Sequence, residues 1–126
     1  MKKNKKVIVP FETFVGLCAD VRSALNIASF QLKFQVEEHP SVSWAATHVP
    51  LLCDYYSCLN ALQELLEEDI LNEDTIMESL QRVLAEDHQS GIVVPVEELK
   101  TVRALMEQAE AMKQTLSMAG LSMEIH

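Results

Sequence analysis

The chain has 126 residues with 48% hydrophobic side chains and a formal net charge of -9, which excludes a disordered coil and disfavours binding to nucleic acid or an anionic membrane through a broad basic face. Three glycines, four prolines and few β-branched runs favour helix, and a chain of this length can bury a core without disulfide or metal. Three cysteines, an odd number with no framework spacing, suit a reducing, cytoplasmic setting.

Residues 1 to 6 read as a basic tail carrying Lys2, Lys3, Lys5 and Lys6, followed by the apolar run Val7-Ile8-Val9. This imitates a signal-peptide start, but Pro10 and Glu12 interrupt the run, and Leu17 stands before Cys18 where a lipoprotein cleavage site needs a small residue. Pro10 and Glu12 instead suit a helix start, because proline has no N–H to leave unpaired and the acid meets the positive helix end. The first helix is therefore expected over 10–38, ending before Pro40. Its gaps of three and four through Phe11, Phe14, Cys18, Val21, Leu25, Ala28 and Leu32 define a core seam. Ile27, Phe30 and Phe34 project almost opposite that seam, so the helix is apolar on two faces and needs two partners.

Ser41 or Ser43 caps a second helix over 43–69, with Trp44, His48, Leu52, Tyr55, Leu59, Leu62 and Leu66 on one face and a kink or separate first turn at Pro50. The short connection makes the first two helices an antiparallel hairpin. Asn72, with Glu73 and Asp74 behind it, caps a third helix over 73–88 through Ile76, Leu80, Val83 and Leu84. Ser90-Gly91 breaks the chain. A fourth helix over 95–119 carries Leu99, Val102, Met106, Ala109, Met112 and Leu116, closes at Gly120, and leaves 121–126 frayed. Val7-Ile8-Val9-Pro10 and Ile92-Val93-Val94-Pro95 are the same device; they pair as a two-strand ribbon of 7–9 with 92–94, or else cap the helix ends. All seven aromatics lie in the first hairpin, whereas five of the six methionines lie beyond residue 76.

The chemistry-bearing residues give weaker patterns. Cys53 and Cys58, five apart on a helix, point away from each other, and the three cysteines read as free, mostly buried thiols. His48 on an apolar seam reads as a hydrogen-bonded core residue, with a ligand or proton-switch role as the sharper alternative. Glu64 with Glu67 or Glu68, and Glu107 with Glu110, have the spacing of magnesium-binding carboxylates, but no phosphate loop and no nucleophile set accompany them. No cofactor, metal or catalytic residue is expected.

Charge is distributed unevenly. Ten acids and no lysine or arginine fall between Lys33 and Arg82, and seven of them (Glu64, Glu67, Glu68, Asp69, Glu73, Asp74 and Glu78) crowd one tip. The tip reads as a solvated cap or as a patch that docks on a basic protein surface. The sequence thus predicts one all-α domain over 1–126, an up-down four-helix bundle that works by contact with another protein and is not an enzyme. It expects a regulatory adaptor or antagonist, homodimeric, with Ile27, Phe30, Phe34, Met106 and Met112 as interface candidates. Alternatives are an acidic nucleic-acid mimic, a magnesium-dependent nucleotide hydrolase and a structural subunit.

Overall fold

The computed structural model describes residues 5–85 and 91–123. The chain runs β1 (Lys6–Val9), α1 (Phe11–Glu38), α2 (Val42–Glu64) continued by a π-helical turn (Leu65–Ile70), α3 (Glu73–Leu84), β2 (Ile92–Pro95) and α4 (Val96–Met118). Four helices and a minimal antiparallel ribbon make an all-α bundle, as the spacing of apolar residues predicts.

α2 is the central element: α1 packs on it, and so does α4. Its buried residues Leu52, Tyr55, Leu59 and Leu62 are the expected seam, and each contributes on the order of 1.5–3 kcal/mol of burial. Ser41 is the cap, its hydroxyl accepting from the Trp44 N–H at 3.2 Å. α2 is one continuous helix through Pro50, with no separate first turn before it. The change comes later, at Leu65–Ile70, where wider π bonding takes over. Leu62, Leu66 and Ile70 are spaced four and four, which drifts about 40° per step on an ordinary α-helix. The wider turn absorbs the drift, and all three side chains are fully buried.

On α1 the buried residues are Phe14, Val21, Leu25 and Ala28; Phe11, at the start of the predicted seam, is exposed. α4 contributes Val102, Ala109 and Leu116. The two apolar runs do pair, Val7 with Val94, Ile8 with Val93 and Val9 with Ile92. Lys6 therefore belongs to the ribbon and not to a tail; it pairs with Pro95, and its ammonium lies 3.3 Å from Glu78. Gly91 is required beside it, because a Cβ there would collide with the Val9 carbonyl oxygen.

Two ends differ from expectation. α3 stops at Leu84 with Ala85 capping it, short of residue 88, and the rest of that stretch lies outside the described residues. Leu121 and Met123 are buried, so the expected fraying does not hold there. Gly120 adopts φ 87, its N–H donates to Ser117 O at 3.0 Å, and Leu121 N–H donates to Leu116 O at 2.8 Å. This paired closure brings buried Leu121 back to buried Leu116.

Candidate functional site

The residues singled out by sequence do not form one site. α1 turns Phe30 and Phe34 away from α2, leaving them 64% and 43% exposed, and their rings stack with centroids 5.9 Å apart and planes 11° apart. One helical turn separates them, which is why the rings can meet. Ile27, expected with them, is half-buried and packs against the core. The two phenylalanines thus remain open to solvent and are not covered by the Val7–Val9 or Ile92–Val94 run.

Met106 lies elsewhere, on the wall of a groove of about 210 Å3 whose floor is Tyr55, Leu59 and Leu62 and whose far wall is Leu17 and Ala24. Met112 is half-buried and lines a second recess between α2 and α4, beside Leu51 and Thr115. Methionine and aromatic candidates therefore occupy separate surfaces.

The acidic residues do gather, along the end of α2, the π turn and the start of α3, because the chain reverses there within a few residues. Two of the seven are neutralised from within. Glu67 pairs with Arg22 of α1, and Glu78 with Lys6. Glu64, Glu68, Asp69, Glu73 and Asp74 are exposed. Arg22, Glu64, Glu67 and Glu68 line an open recess of about 520 Å3, whose chemistry suits a cation or a basic side chain. Asn72 closes the corner as expected, its Oδ1 accepting from Thr75 N–H at 2.9 Å and its Nδ2 donating to Asp69 O at 2.9 Å.

His48 is half-buried, and its Nδ1 lies 2.9 Å from the Trp44 carbonyl, which can only accept. Trp44 lies between two imidazoles, His39 and His48, each with its centroid 4.6 Å away. This three-ring stack fastens the α1–α2 turn, a feature the sequence signalled only as three separate residues.

The cysteines divide by exposure. Cys58 is buried and donates from Sγ to Leu105 O at 3.5 Å; Cys18 is half-buried; Cys53 is exposed, against the expectation of mostly buried thiols. Burial pushes the Cys58 thiol up, and burial followed by the Glu67 charge raises Cys18 despite Arg22. Raised thiols are poor nucleophiles at neutral pH. Among the described residues no group of three or more His, Cys, Asp and Glu is arranged to hold a metal ion, and no helix is long and apolar enough to cross a membrane.

An exposed apolar stripe that the sequence did not single out lies on α3. Ile76, Met77, Leu80 and Val83 are 43–51% exposed, and Leu84 is 82% exposed, although their spacing is that of a core-facing stripe. No protein family matches the chain, and comparison with curated proteins and with solved structures gives no match.

Proposed function

We propose that this chain is a small regulatory adaptor or antagonist that acts in the cytoplasm by occupying a surface of another protein, and performs no chemistry of its own. The observation that carries this reading is the stacked, exposed Phe30–Phe34 pair on the side of α1 turned away from its hairpin mate. Aromatic side chains of this kind anchor interfaces, because each removes a large apolar area from water at little cost in rotamer freedom. The same face is suited to an isologous dimer, in which the two pairs would meet across a two-fold axis. The exposed acids of the α2–α3 corner would steer approach to a basic partner. The three free cysteines suit a reducing compartment.

The test is a Phe30→Ala, Phe34→Ala double variant. Sedimentation at micromolar concentration is expected to give a dimer for the unaltered chain and a 14.2 kDa particle for the variant, with unchanged helicity. A partner captured from the native host by the unaltered chain should be lost with the variant. A monomer in both cases, with capture undiminished, overturns the reading. The acidic corner favours one alternative, a nucleic-acid mimic, which would lose its partner steeply with salt while the double variant behaved normally.

A further inference from the structure

α3 is an amphipathic helix that lies with its apolar side outward. At 100° per residue, Val83, Ile76, Leu80, Leu84 and Met77 fall within about 120° of arc. The arc that faces the molecule is polar. Ser79 is its single buried residue, with Thr75 and Arg82 half-buried beside it, and the Ser79 hydroxyl donates to Thr75 O at 2.7 Å. The packing partner is β2. Alternation along that strand sends Ile92 and Val94 into the main core, leaving Val93, also buried, on the other face. A small Ser79 lets the helix approach that face closely, and the Lys6–Glu78 ion pair ties it to the neighbouring strand.

The surroundings say what kind of cover this stripe fits. Asp74 borders it on α3, Glu73 stands at its first turn, and Glu64, Glu68 and Asp69 extend the same charge around the corner, all of them exposed. A second copy docked here would present the same acid-rich corner, in a chain of formal net charge -9 with no lysine or arginine between Lys33 and Arg82. Like charges at that density oppose self-association, whereas lysine or arginine at a partner's rim would complement them.

From this we infer that the outward stripe of α3 is a docking surface for a basic amphipathic helix of another protein, whose apolar side covers Ile76, Leu80 and Val83 while its lysines and arginines meet the acidic corner. The inference rests on the contact-based reading of function but uses a different surface from Phe30 and Phe34. It assigns the partner's chemistry to that reading and separates steering, by the acids, from anchoring, by the stripe.

The test uses two fluorescently labelled synthetic helices, one of leucine and lysine in helical alternation and one in which every lysine is glutamate. Anisotropy titration of the full chain is expected to show saturable binding of the lysine peptide, weakened severalfold by raised salt, and no binding of the glutamate peptide. Leu80→Asp adds a negative charge, so pure charge attraction would hold or strengthen binding. The stripe requires a loss of tenfold or more, and Leu80→Ser, which leaves charge unchanged, should give a loss in the same direction. Circular dichroism would establish that both variants fold; Leu80 is half exposed, and a fold loss in one leaves the other to decide.

Equal binding to the unaltered chain and to both variants overturns the inference and reduces the interaction to general charge attraction. Loss with the Phe30, Phe34 double variant but not with the Leu80 variants also overturns it, while leaving the broader function standing. A dimer that dissolves on Leu80→Ser would assign the stripe to a second copy and equally overturn it. Loss with the Leu80 variants alone would retain the stripe and remove the phenylalanine pair from partner binding.

Discussion

Cys18, Cys53 and Cys58 show how far a thiol's chemistry depends on the helix face that carries it. Their spacing turns Cys53 and Cys58 well apart around α2. It left Cys53 exposed, Cys58 buried and Cys18 between, which needs the position of neighbouring helices to decide. Thiol labelling at neutral pH should therefore modify Cys53 quickly and Cys58 only on opening of the fold. Rapid labelling of Cys58 in the folded state would contradict the packing of α2 against α4. Tyr55 adds a pH signature. Burial, then Glu110 and Cys58, raise its phenol above the ordinary range, as burial raises Cys58. A group whose folded pKa is raised binds its proton more tightly in the folded state, so this stability is complete below the unfolded pKa and is lost as pH rises. Thermal melts should thus fall from about pH 9 upward, and a flat alkaline profile would place these groups in water.

At the level of elements, the readable parts were those fixed by local bonding. Asn72 and Ser41 cap where a side-chain oxygen can reach the third N–H, and the four helices follow gaps of three and four. The pairing of Val7–Val9 with Ile92–Val94 could not be decided locally, since a ribbon and a helix cap need the same apolar run. The closure of α4 was half readable. Gly120 was expected as the stop, but a leucine directly after such a glycine also signals a return to the core, and Leu121 makes that return. Gly91 provides the sharpest element-level test. A methyl there meets Val9 O and, at 2.9 Å, Cγ2 of Ile8, so Gly91→Ala should destabilise the fold by about 1–3 kcal/mol. Denaturant titration measures it, and an unchanged midpoint would mean that β1 does not lie against Gly91.

Across the whole molecule, α2 is held by α1, α4 and its own π continuation, whereas α3 reaches the body mainly through one strand. Apolar periodicity revealed the stripes of both α1 and α3 but could not rank them, because a repeat of three and four shows that a face is greasy and not what covers it. This is why Ile27 proved to be core edge, why Phe30 and Phe34 are exposed, and why the stripe of α3 points outward although it reads as core. The consequence is uneven stability. α2 buries Leu52, Tyr55, Cys58, Leu59 and Leu62, so exposing its amides requires opening the core, while α3 buries only Ser79, and the contacts that hold it include the Asn72 cap, the Lys6–Glu78 ion pair and the packing on β2. Local opening free energies follow the number of buried apolar contacts an element must give up. Native-state hydrogen exchange should accordingly release α3 amides at least tenfold before those of α2 between Leu52 and Leu62. Addition of the leucine-lysine peptide should slow α3 and leave α2 unchanged, because a ligand that binds only the closed form stabilises what it covers. Protection of α3 equal to that of α2 in the isolated chain would mean that its stripe is already covered, and would turn the assignment of that surface from a foreign helix to another copy of this one.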